Sequence, residues 1–241
     1  MVEYQADLIY DIGLNTGQDA EFYLKKNFRV VGVEANPVIA QKAAERLARF
    51  GSRLLILKYG IGPEEQEVCP FYVNRRYHEQ STFLQEYSTG PTWDLGYDVI
   101  QVPVKTIHPV LAEYGVPYYM KIDIEARDLL VLEQLLATRA RPKYISVETG
   151  PTTQWIDALE ALGYRGFKLV DQTKHSNVAL PNPAKEGRYV EHSFEWGSSG
   201  PFGDEIASPW ETAETIRMLW RSHINRGFPD GCWFDVHARW P

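Results

Sequence analysis

The 241-residue chain has only two cysteines, Cys69 and Cys232, far apart and with no metal-type spacing. That excludes a disulfide-stapled secreted scaffold and leaves two reduced thiols in a cytosolic protein as the expectation. No stretch approaches the roughly 20 apolar residues of a membrane span, and Met1–Tyr4 has no basic segment leading into an apolar one. Neither a membrane contact nor a secretory leader is expected. Basic charge is scarce too. Lys and Arg number 25 against 32 Asp and Glu, a net charge of −7. The Arg75-Arg76 step is too small to supply the basic face that nucleic-acid binding needs. Internal repeats and low-complexity tracts are also missing. A hydrophobic content of 44% is enough for a sizeable core at this length.

What is present is concentrated near the start. Residues 9–17 form an apolar run that ends in Asp11 and turns through Gly13, Asn15, Thr16 and Gly17 into a helix pattern. A second apolar run, 29–33, stops at Glu34, followed by Ala35, Asn36 and Pro37. Glycine lets backbone approach a ligand without a Cβ, and the helix start offers free N–H groups. An acid at the end of the second strand can accept ribose hydroxyls. The spacing is D-x-G-x-N-x-G rather than the G-x-G-x-x-G of dinucleotide sites. A carboxylate at Asp11 would repel a pyrophosphate and suit a cationic ligand. S-adenosylmethionine, with an ammonium, a sulfonium, a ribose and no phosphate, fits that description.

Strand and helix patterns alternate as far as residue 171, which predicts a parallel sheet with helices on both faces. Strands are expected at 8–11, 29–34, 53–59, 118–124, 144–148 and 164–170, with helices at about 17–26, 37–48, 127–136 and 152–163. Two more strands, 67–73 and 98–104, contain prolines that favour edges or bulges, and a polar, aromatic loop, 74–97, joins them. Residues 172–241 read as a turn-rich extension or lid packed on the domain formed by 1–171. It has one amphipathic helix at 210–226, five of the seven tryptophans and four of the six histidines. Such a segment serves equally as a binding lid or as an aromatic staple.

The chain resembles the FkbM-type methyltransferases that use S-adenosylmethionine. The resemblance rests on Tyr-Asp-Ile-Gly-Leu-Asn-Thr-Gly-Gln at 10–18, Val-Gly-Val-Glu-Ala-Asn-Pro at 31–37, Val-Pro-Val-Lys-Thr-Ile at 102–107, Met-Lys-Ile-Asp-Ile-Glu at 120–125 and Ile-Ser-Val-Glu at 145–148. It covers roughly 7–170. It implies an α/β, Rossmann-like class I fold with a mostly parallel, seven-stranded-type sheet, an irregular aromatic C-terminal extension, and O-methylation of a hydroxyl on a sugar, polyketide or similar small molecule. The family pattern has glycine where this chain has Ala126, and an acid directly after it where this chain has Arg127 before Asp128.

Asp11, Gly13, Asn15, Thr16, Gly17, Glu34, Ala35, Asn36, Gly60, Ile61, Ser81 and Asp123 are the expected donor-binding residues. A hydroxyl acceptor benefits from a general base. Asp123, at a strand end, is the first candidate, and His78, in the long loop, and Glu125 follow. Lys121 is expected to neutralise Asp11 and Asp123. Asp123, Glu125 and Glu148 could hold a divalent ion, but no dedicated ligand cluster is written in the sequence and no metal is assigned. Rival readings are a nicotinamide-dependent oxidoreductase and a non-catalytic adenosine-ligand binding module. Oligomeric state is not encoded legibly.

Overall fold

A computed structural model describes residues 3–226 and 233–241; Met1, Val2 and Cys232 lie outside them. Strand β1 (Gln5–Ile12) leads into α1 (Gln18–Lys25), β2 (Arg29–Val33), α2 (Pro37–Leu47) and β3 (Leu54–Leu57). Asn36 caps α2 by accepting from the Val38 N–H, with Pro37 in the first turn. A short β4 (Gly60–Ile61) and the antiparallel pair β5 (Gln66–Asn74) and β6 (Tyr97–Lys105) form a separate three-stranded sheet in the order β4-β6-β5. The proline-bearing β5 lies at its edge, with a register shift between Gln66 and Cys69. Cys69 itself is half-buried and free. Then come α3 (Ile107–Tyr114), β7 (Pro117–Ile122), α4 (Asp128–Leu136), β8 (Tyr144–Glu148), α5 (Gln154–Ala161), β9 (Gly166–Asp171), α6 (Ala213–Arg226) and β10 (Phe234–Arg239).

The main sheet has the order β3-β2-β1-β7-β8-β10-β9, parallel except for β10, which runs antiparallel between β8 and β9. This is the expected α/β, Rossmann-like seven-stranded arrangement, with β10 as its final strand. Two of its elements are absent from the sequence reading, α3 and β10. For 172–241 this is a correction. The segment includes a strand inside the sheet as well as loops, because Phe234, Val236 and Ala238 alternate with Asp235 and His237 and bury both faces.

One face of the sheet packs α3, α4, α5 and α6 around residues such as Met120, Leu132, Ile145 and Trp220. The other packs α1 and α2, and then, where a further helix would lie, the irregular tail. Phe202 stacks on Tyr119 at 4.3 Å between centroids, and Trp210 on Tyr144 at 5.8 Å. The buried Lys26–Glu205 ion pair at 2.6 Å fixes this tail to the end of α1. The tryptophans therefore divide. Trp210, Trp220 and Trp240 pack the tail down, whereas Trp196 and Trp233 line the cavity described next. No helix among the described residues is long and apolar enough to cross a membrane.

Candidate active site

Strand order and direction assemble the site. The carboxyl ends of β2, β1, β7 and β8 lie side by side, and a cavity of about 420 Å³ runs along them from Glu34 past Gly13 and Asp123 to Glu148. Gly13 has φ 93°, and a Cβ there would lie 1.8 Å from the Asp123 carbonyl oxygen, so β1 and β7 can meet this closely only through glycine. Asn15 also takes a positive φ of 50°, and its side-chain oxygen is buried with no hydrogen-bond partner. Beside it, Glu34 is held from both sides. Its Oε2 accepts the Asn15 N–H at 2.9 Å and its Oε1 the Asn36 N–H at 2.8 Å. Burial pushes its carboxyl up, against those two hydrogen bonds.

Of the expected donor-binding residues, Gly13, Asn15, Glu34, Ala35, Gly60, Ile61, Ser81 and Asp123 line the cavity. Four do not. Gly17, at φ 84°, starts α1, and a Cβ there would lie 2.7 Å from the Leu47 side chain of α2; its glycine serves packing. Asn36 is consumed as the α2 cap, and Thr16 donates to Gln18. Asp11 is the fourth. The sequence puts its charge in the ligand's path, yet it is fully buried behind the wall, facing Lys121 at 3.4 Å with no well-formed hydrogen bond. Burial pushes its carboxyl up to about 7.

Lys121, itself 3% exposed, is the hub. Its ammonium lies 3.4 Å from Asp11, 3.2 Å from Asp123 and 3.7 Å from Asp19, and donates to the Gly13 carbonyl at 3.3 Å. Burial opposes its charge, but Asp123, Asp11 and Asp19 outweigh that and raise its pKa well above the usual value. Asp19, missed in the sequence, also accepts from Ser198 and from the Ser199 N–H, which pins the tail loop bearing Trp196 beside the cavity. The register explains this buried polarity. Gly32, Asp11, Lys121, Ser146, His237 and Lys168 are successive partners across six strands, a polar row under the tail.

The loop between β5 and β6 closes the other side. His78 lines the cavity with its Nδ1 unpaired by any hydrogen bond, and Ser81 Oγ donates to the His78 carbonyl, shaping the turn. Thr82 donates to the Glu125 carbonyl at 3.0 Å and so ties this loop to the turn after β7. Asp123, Glu125 and Glu148 come together there, each offering an oxygen within 4.8 Å of the others, a spacing a hard divalent ion could use. Burial raises Glu125 and Glu148 well above the normal range, and their acidic neighbours add to it.

With this geometry in view, the match of the FkbM methyltransferase domain to residues 11–166 is decisive. The chain belongs to the FkbM methyltransferase family. It is therefore an enzyme of the S-adenosylmethionine-dependent methyltransferase class. No curated protein matches the sequence. Among solved structures, precorrin-6y C5,15-methyltransferase from Geobacter metallireducens is similar at 12% identity, over 99% of this chain and 82% of that one, with a TM-score of 0.44. An S-adenosylmethionine-dependent O-methyltransferase from Thermotoga maritima is similar at 9% identity, over 99% and 61%, with a TM-score of 0.40. Likeness this distant carries nothing about substrate.

The turn after β7 is strained at Ala126. Glu125 and Ala126 have φ of 49° and 72°, two consecutive left-handed residues. Asp128 secures the turn by accepting the Ile124 N–H at 2.9 Å, and burial pushes its carboxyl up to about 6. A left-handed alanine costs roughly 1–2 kcal/mol, partly offset by the entropy a glycine loses on folding. Ala126→Gly is therefore expected to stabilise the fold by about 0.5–1 kcal/mol, read as a rise in the urea midpoint with an unchanged slope.

Proposed function

We propose that this enzyme moves a methyl group from S-adenosylmethionine to a hydroxyl of a small molecule, inside the cell's cytoplasm. The observation that carries the donor half is Glu34. Two backbone N–H groups fix its carboxylate at the cavity wall, leaving lone pairs on both oxygens for vicinal hydroxyls. Asn15 adds an orphaned acceptor, Gly13, Ala35 and Gly60 line the same cavity, and Ile39 and Ile61 offer apolar walls for a purine. Ser81 stiffens the loop on the far side.

When bound, S-adenosylmethionine supplies a methyl carbon on a sulfonium, which departs as a neutral thioether as the oxygen's electron pair forms the new C–O bond. The chain must align the acceptor, exclude water and take its proton. Asp123 is the base. It lies at the cavity wall, partly exposed, with its Oδ2 oriented by Lys121, so an oxygen remains to accept the hydroxyl proton. His78 and Glu125 stand around the same space and are the competing bases.

Calorimetric titration with S-adenosylmethionine, S-adenosylhomocysteine and NAD tests the reading. The first two are expected to bind; binding of NAD alone would establish the oxidoreductase alternative. Losing a hydrogen bond to a charged group costs about 1.5–3 kcal/mol, so Glu34→Gln should weaken S-adenosylhomocysteine at least about tenfold.

A further inference from the structure

The β8 end of the cavity has a charge problem that the donor does not solve. Lys121 is shared by Asp11, Asp19 and Asp123. Glu125 and Glu148, on the same wall, make no ion pair and no side-chain hydrogen bond among the described residues. Asp235 stands opposite Glu148 in the β8–β10 register, on the same sheet face, 4% exposed and likewise without a hydrogen-bond partner among them. A buried carboxylate without a donor or counter-charge is costly. Glu125 and Glu148 line the cavity half-buried, and the buried Asp235 lies beside Glu148; together they favour a cation in this place.

Aromatic side chains line the same cavity. Trp196, 71% exposed, meets Trp233 edge-to-face at 4.6 Å, and both indoles line the cavity. Trp233 precedes Asp235 by two residues on the chain that flanks Glu148. Asp19 anchors the loop bearing Trp196 through Ser198 and Ser199. Indole faces attract organic cations, whereas they offer a hydrated metal ion no oxygen ligand.

We propose that the part of the cavity lined by Glu125, Glu148, Trp196 and Trp233 receives the positively charged end of the methyl acceptor, an organic ammonium. This rests on the methyltransferase reading and names the acceptor's chemical class: a hydroxyl compound that also carries an amine or quaternary nitrogen. The carboxylates would also shield that charge from a nearby sulfonium, since two like charges repel strongly in a partly buried site.

The test uses the full chain saturated with S-adenosylhomocysteine, titrated with choline and with the isosteric alcohol in which carbon replaces the nitrogen, following tryptophan fluorescence and heat. Choline is expected to bind at least about tenfold more tightly than its neutral twin. Glu148→Gln and, independently, the exposed Trp196→Ala should each erase most of that preference. Equal binding of the two alcohols overturns the proposal. So does tight magnesium binding with no choline binding, which would make the cluster a metal-ion site. Intact S-adenosylhomocysteine binding without a choline preference removes this proposal alone; no S-adenosylhomocysteine binding removes the reading beneath it as well.

Discussion

Asp123→Asn is expected to lower turnover by about 10²–10⁴, the usual worth of a positioned general base, while S-adenosylhomocysteine affinity changes little. The side chain keeps its shape, and Lys121 retains Asp11 and Asp19 as partners, so the wall should stand. What disappears is a carboxylate oxygen able to take the acceptor's proton. Single-turnover rates with donor calorimetry on the same samples separate the two effects. His78→Ala is the control, since His78 reaches the same space from the β5–β6 loop. A larger loss from His78→Ala than from Asp123→Asn would transfer the base role to the histidine, and a comparable loss of donor affinity in Asp123→Asn would reduce Asp123 to a binding residue.

The part of the cavity lined by Gly13, Asn15 and Glu34 was legible because it is local. Gly13, Asn15 and Glu34 belong to one strand–turn–helix–strand unit, where turn chemistry and the stop of an apolar run can be read within about thirty residues. The mostly parallel sheet followed from alternation, whereas its strand order comes from the structure. What escaped reading depends on register between distant strands. Asp11 looks like a ligand contact in one dimension; its neutralisation by Lys121 was expected, but not that the pair would be buried behind the cavity wall. Asp19 falls on a helix whose pattern gives no hint that Ser198 and Ser199 will meet it. Asp235 joins Glu148 only because β10 enters antiparallel between β8 and β9. Its six residues alternate as a strand should, but the surrounding turns and tryptophans obscured that signal. Helix α3 was hidden in another way, its Thr106-Ile107-His108-Pro109 start being absorbed into a family motif.

The largest effect on stability is expected at Lys121. Lys121→Met leaves Asp11, Asp19 and Asp123 without their shared cation, and stripping one partner from a buried ionic cluster costs about 3–5 kcal/mol, much of the roughly 5–15 kcal/mol that holds a domain together. The loss should depend on pH, and its sign follows from Asp11. Its carboxyl is raised from an ordinary 3.8 to about 7 in the folded chain, so its stabilising protonation is complete below about 4 and is lost as pH rises towards 7. Lys121 opposes that rise; removing it moves the folded pKa higher still. Each carboxyl protonated in the folded state and ionised in the unfolded one contributes about 1.4 kcal/mol per pH unit. Urea unfolding should therefore show the variant far weaker than the parent at pH 8 and recovering part of the gap at pH 5, where Asp11 carries a proton. An equal deficit at both pH values would mean that Lys121 stabilises by packing its chain rather than by answering those charges.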